Sequence, residues 1–135
     1  MSQQLAERFV EALGRLEAER DSEGIVSLFA EDCEVGNVVS PERFHGREGA
    51  RQFWGEKYRD TFGEVRSTFR NVFAGEGRAA LEWKTEGTTG EGTSVEYEGV
   101  SILEFEGDLI KRFRAYFDAT DLGRQIAGQV SSSGS

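Results

Sequence analysis

The chain has 135 residues, 37% of them hydrophobic, which is the size of one domain and enough to bury a core without a metal or a disulfide. A net charge of −9 and an isoelectric point near 4.7 argue against nucleic acid, whose phosphates require a basic surface, and against acidic partners. The single cysteine, Cys33, excludes an internal disulfide, and the first twenty residues are charged throughout with no apolar run, so neither a signal peptide nor a membrane span is expected and the protein reads as cytoplasmic.

Leu5, Phe9, Ala12, Leu13 and Leu16 recur at helical spacing opposite Glu7, Arg8, Glu11, Arg15 and Glu19, predicting a first core helix. Asp21 or Ser22 supplies the N-cap of a shorter second helix whose apolar stripe closes at Leu28 and Phe29 and which ends at Glu31 and Asp32. Cys33, Val35 and Asn37 then alternate with Glu34, Gly36 and Val38 as a strand does, which makes Cys33 a small buried side chain rather than a reactive thiol. Pro41 interrupts regular structure, and Ala50, Phe53, Trp54 and Tyr58 predict a third helix from about Arg47 to Phe62.

After Gly63 the period changes from helical to alternating. Val65, Ser67, Phe69, Asn71 and Phe73 share one face of a strand, and Gly75, Glu76 and Gly77 make a hairpin turn into a second with Ala79, Leu81, Trp83 and Thr85. A glycine- and threonine-rich turn leads to a third, with Val95, Tyr97, Gly99, Ser101, Leu103 and Phe105 on one face. Gly107 and Asp108 turn the chain into a fourth, with Leu109, Lys111, Phe113, Ala115 and Phe117. A short helix from about Thr120 to Ala127 follows, and residues 129–135 read as a disordered tail. Helices first and antiparallel strands afterwards make an α+β domain over residues 1–128.

Three stretches carry a family resemblance: Leu28-Phe29-Ala30 with Asp32 closing a helix, His45-Gly46 opening the next, and residues 107–118, GDLIKRFRAYFD, as a last hairpin strand followed by Leu122, Gln125 and Gly128. In order and spacing these resemble the nuclear transport factor 2-like superfamily, and within it the SnoaL-like proteins. The resemblance implies a cone-shaped α+β barrel of the cystatin-like kind, in which three N-terminal helices pack on a curved, mostly antiparallel sheet around a pocket. It also implies a homodimer formed through the outer sheet face, where Arg66, Arg70, Lys84, Arg112 and Arg114 are interspersed with Glu82, Glu96, Glu98, Glu104 and the apolar Val72, Val100, Ile102 and Tyr116; the structural alternative is a solvated face.

The same fold hosts enzymes and non-catalytic binders, so function rests on the pocket residues. Ketosteroid isomerase chemistry needs a carboxylate base, a tyrosine and a protonated acid; by the resemblance those positions fall on Asn37, near Leu13 and near Ser101, and all three roles are missing. One histidine excludes a two-histidine dehydratase site, and no Asp-Arg-Asp arrangement of the epoxide hydrolase kind is visible. What faces the pocket is neutral: Asn37, Ser67, Asn71, Thr85, Tyr97 and Ser101 for hydrogen bonds, with Phe69, Phe73, Trp83, Phe113 and Phe117 as apolar wall. Asn37, Phe69, Trp83, Tyr97, Ser101, Phe113 and Phe117 are therefore the expected ligand-binding residues.

Asp118 and Asp121 are the candidate acids, because SnoaL-like cyclases use an aspartate near the C-terminal end, and His45 is the one side chain titrating near neutral pH. Each has a structural alternative, Asp118 as a helix cap and His45 as part of the turn before Gly46. A glycine-rich phosphate loop and a metal-ligand cluster are both lacking, so neither cofactor nor metal is expected. Three readings follow: a binding protein for a small, apolar, ring-containing molecule; a cofactor-independent isomerase, cyclase or dehydratase using Asp118 or Asp121; and a non-catalytic dimerisation scaffold whose cavity is filled by its own side chains.

Overall fold

The computed structural model describes residues 2–39, 42–58 and 62–133. Helix α1 (Ser2–Glu19) is amphipathic as its spacing requires, burying Leu5, Ala6, Phe9, Ala12, Leu13 and Leu16. Helix α2 (Ser22–Val26) is capped by Asp21, whose side chain accepts from the Gly24 amide at 3.1 Å. The chain continues through β1 (Phe29–Asn37), the two-residue β2 (Phe44–His45) and α3 (Gly46–Arg51) into a π-helical turn over Gln52–Tyr58. Strands β3 (Phe62–Gly75), β4 (Arg78–Thr89), β5 (Ser94–Glu106) and β6 (Leu109–Phe117) follow, and α4 (Ala119–Ser133) ends the described chain.

The six strands form one sheet in the order β2-β1-β6-β5-β4-β3, antiparallel throughout except where β1 runs parallel to β6. The helices cover its inner face, and the buried core between them is built from Phe9, Leu16, Ile25, Phe29, Leu81, Leu103 and Ile110. Glu76 (φ 51) and Gly77 (φ 80) turn β3 into β4. Two consecutive left-handed residues match the twist of the flanking strands, and a glycine meets that demand at the second. No helix among the described residues is long and apolar enough to cross a membrane.

Six features depart from the sequence reading. Phe29 opens β1 instead of closing a helix, because its amide-to-carbonyl ladder pairs with β6 in a register where Phe29 faces Ile110. The short β2, paired with β1 at His45 and Phe44, is too brief to leave a periodic signal. The third helix is α-helical over Gly46–Arg51 and π-helical over Gln52–Tyr58, residues 59–61 of its expected span lie outside the described residues, and Phe62, its expected end, begins β3.

In β3 the register slips between Phe69 and Asn71, so Arg70 is an extra residue and the faces exchange. Val72 and Ala74 then pack against the core while Asn71 and Phe73 point outward, Phe73 being 69% exposed. A similar slip in β6, where Glu104 faces Arg112 but Phe105 faces Ile110, puts Ile110 in the core in place of Lys111. Finally, α4 runs on to Ser133; Gly128 does not end it, since a glycine without a left-handed cap costs a helix only about 1 kcal/mol. Gly134 and Ser135 lie outside the described residues.

Candidate functional site

Between the helical layer and the inner sheet face lies a cavity of about 530 Å³, within the range of small-molecule sites. Phe9 and Leu13 of α1, Asn37 of β1, and Phe53, Trp54 and Tyr58 of the π-helical turn form one wall. Ser67, Phe69, Trp83, Thr85, Tyr97, Ser101, Phe113 and Phe117 of the sheet form the other, and Leu122, Gly123 and Ile126 of α4 lie across it. The wide π-helical turn, a form that recurs at functional sites, brings Trp54 and Tyr58 to 5.6 Å between ring centroids.

The seven residues expected to bind ligand, Asn37, Phe69, Trp83, Tyr97, Ser101, Phe113 and Phe117, all line this cavity. Trp83, Tyr97 and Phe117 form a triangle of rings with centroids 5.1–5.9 Å apart. Trp83 Nε1 donates to Ser101 Oγ at 2.9 Å, which fixes the indole plane. Asn37 Oδ1 accepts from the Val39 amide at 3.0 Å, holding its own turn. Asp118, Asp121 and His45 are exposed and are not among the lining residues. Asp118 caps α4, accepting from the Asp121 amide at 2.9 Å, and Asp121 accepts from the Gln125 side chain at 3.0 Å. His45 occupies the N-cap position of α3 with extended backbone and makes no side-chain cap hydrogen bond.

Helix α4 is held by its own side chains. Leu122 and Ile126 pack on Phe62, Val65 and Val95. Gln125 addresses the backbone of Glu96 twice, accepting from its amide at 2.9 Å and donating to its carbonyl at 2.7 Å. It completes a stretch of β5 that lies beyond the end of the β6 pairing at Gly99 and Phe117.

One group escaped the sequence reading. Glu17 follows Phe9 and Leu13 at four-residue steps and so lies on the apolar stripe of α1; a carboxylate in that register was the available signal. It accepts from Tyr58 Oη at 2.6 Å, from the Ser67 amide at 2.9 Å and from Ser67 Oγ at 2.6 Å. Ser67 Oγ is in turn 2.8 Å from Thr85 Oγ1. Burial pushes the Tyr58 phenol well above its ordinary pKa, with the Glu17 charge and hydrogen bond adding to the effect. Burial, then the charge of Glu17, likewise raises the Tyr97 phenol. Both stay protonated through the neutral range.

Trp54, 2% exposed, carries a buried indole nitrogen with no hydrogen-bond partner among the described residues. The described residues hold no group of three or more histidine, cysteine, aspartate or glutamate side chains placed to bind a metal ion.

The family model of the SnoaL-like domain matches residues 6–113. Among curated proteins none matches. Similar solved structures include an NTF2-like protein from Burkholderia pseudomallei, 21% identical with a TM-score of 0.79, covering 92% of this chain and 95% of that one. TerC, co-crystallised with polyporic acid, is 19% identical with a TM-score of 0.77, covering 91% of this chain and 98% of that one. An LEH-like epoxide hydrolase from M. tuberculosis is 18% identical with a TM-score of 0.74 and 96% coverage of both chains. At these identities the likeness is one of fold, the cone-shaped α+β fold of NTF2-like proteins.

Proposed function

The chain belongs to the SnoaL-like domain family, and we propose that within it this protein is a small-molecule-binding pocket protein, taking an apolar, ring-containing ligand without a cofactor. The observation that carries this reading is the cavity of about 530 Å³ walled by aromatic rings from both layers. Apolar walls with a few fixed polar groups bury most of a ligand's surface and orient it. Asn37, Phe69, Trp83, Tyr97, Ser101, Phe113 and Phe117 are its binding residues.

A thermal-shift screen against aromatic, terpenoid, steroid and polyketide-like compounds tests it. A ligand that binds the native state alone adds about 2.7 kcal/mol of stability at 100 times its dissociation constant, so one chemical class is expected to raise the melting temperature reproducibly. A flat response across the panel would favour a scaffold without a ligand.

A second reading, an enzyme of the isomerase or cyclase kind, is favoured by one feature: the Glu17 carboxylate receives hydrogen bonds from Tyr58 and Ser67, both on the cavity wall. Asp118 or Asp121 with His45 serves that reading less well, because these side chains lie off the wall.

We also propose a homodimer through the outer sheet face. Val100 and Tyr116 are exposed there, framed by the pairs Lys84–Glu96 at 2.8 Å and Arg112–Glu104 at 2.9 Å. Such exposed pairs add little to the monomer but suit the polar rim of an interface. Sedimentation equilibrium at micromolar concentration is expected to give twice the chain mass; a monomer there would end the proposal.

A further inference from the structure

We infer that the ligand of the cavity presents a hydrogen-bond donor on its ring system, an O–H or an N–H, to the Tyr58–Thr85 wall. This rests on the cavity being a ligand site, as proposed above, and adds which polar group the ligand must present.

The argument is one of hydrogen-bond direction. Glu17 Oε2 accepts from Tyr58 Oη and from Ser67 Oγ, both at 2.6 Å, so both hydroxyl protons point toward Glu17. A hydroxyl has one proton to give. Ser67, having given its proton to Glu17, can only accept from Thr85, which settles the direction of their 2.8 Å contact. Thr85 donates to Ser67, Ser67 and Tyr58 donate to Glu17, and no hydroxyl proton of the cluster remains free. Tyr58, Ser67 and Thr85 all contribute to the cavity wall. What Tyr58 and Thr85 have left to offer a ligand is lone pairs.

A bare carbonyl, an ether or a carboxylate brings only more lone pairs to that wall. The group that fits has an N–H or an O–H.

The test is isothermal titration of the full chain with a matched series on one ring system: 2-naphthol, 2-methoxynaphthalene, 2-naphthoic acid, 2-(aminomethyl)naphthalene and naphthalene. The naphthol and the aminomethyl compound are each expected to bind at least about tenfold tighter than the methoxy compound, the acid and naphthalene, the scale on which a buried group left without its hydrogen bond is felt. Tyr58→Phe removes the acceptor and should bring naphthol and methoxynaphthalene to within about twofold of each other.

Glu17→Gln is the sharper variant. Its amide nitrogen donates, so Tyr58 or Ser67 is freed to point a proton at the cavity, and the preference should move toward methoxynaphthalene. Methoxynaphthalene or naphthoic acid binding the wild-type chain as tightly as naphthol would overturn the inference and leave the pocket reading intact. If no member of the series binds, both the inference and the pocket reading on which it stands fall together.

Discussion

Replacing Phe113 with alanine is expected to destabilise the protein by about 3–5 kcal/mol, the usual cost of emptying a buried phenylalanine site, read as a shift in the midpoint of equilibrium denaturation by urea. Phe113 is 3% exposed and is the ring on which the separate layers meet. Its centroid lies 5.4 Å from Phe9 of α1, 5.0 Å from Trp54 and 6.1 Å from Phe53 of the π-helical turn, and 6.5 Å from Phe29 of β1. Each edge-to-face pair adds something beyond buried area.

The site cannot collapse to absorb the loss, because Phe113 already borders the cavity and its removal enlarges a space that is held open by the sheet. That places the expected cost toward the upper end of the range. Phe113→Leu keeps most of the volume and should cost about 1–2 kcal/mol. A loss under about 1 kcal/mol for the alanine variant would mean that the layers are joined elsewhere.

Gly99→Ala should also destabilise the protein although it adds only one methyl group. Gly99 faces Trp83 across β4 and β5, and a Cβ built on it would lie 2.6 and 2.8 Å from two atoms of the indole ring and closer still to the Tyr116 carbonyl oxygen. The carbonyl belongs to the β5–β6 ladder, where Val100 faces Tyr116, so it cannot retreat without breaking strand pairing. The indole is held by its hydrogen bond to Ser101 and by the rings of Tyr97 and Phe117.

Overpacking of this kind costs about 1–3 kcal/mol, and relief comes only if Trp83 swings into the cavity. The variant is therefore expected to melt lower and to lose its response to ring-containing ligands. Thermal melts with and without the best ligand of the panel measure both effects. An unchanged melting temperature with retained ligand response would show that β5 shifts freely at this point.

The aromatic wall was legible because alternation along a strand assigns every second residue to one face, and Trp83, Tyr97, Ser101, Phe113 and Phe117 lie where that rule puts them. The rule fails wherever a strand carries one extra residue. Nothing in the run Phe69-Arg70-Asn71 marks Arg70 as unpaired; only the ladder to β4 reveals it, and with it Asn71 and Phe73 leave the pocket face. Ile110 and Lys111 exchange places for the same reason.

Glu17 was hidden differently. Its spacing from Phe9 and Leu13 was visible, but a carboxylate near a helix end reads as solvated until the hydroxyls that hold it, one from the π-helical turn and one from β3, are seen to converge. Asp118 is the converse case: a carboxylate near the C-terminal end suggests chemistry, and in the fold it makes the helix cap that its sequence position also offers.

The parallel pairing of β1 with β6 also dictates an order of events in the making of the molecule. β1 meets only the two-residue β2 and β6, so a growing chain carries a nearly unsupported first strand until residues 109–117 have left the ribosome. Contacts this distant in sequence close slowly, and meanwhile β1 and β5 each present an open edge of the sort that recruits other chains. A nascent chain stalled before β6 would hold most of its hairpins formed and still have its sheet in two pieces, which makes the last strand, and not the first helix, the point at which those pieces become one.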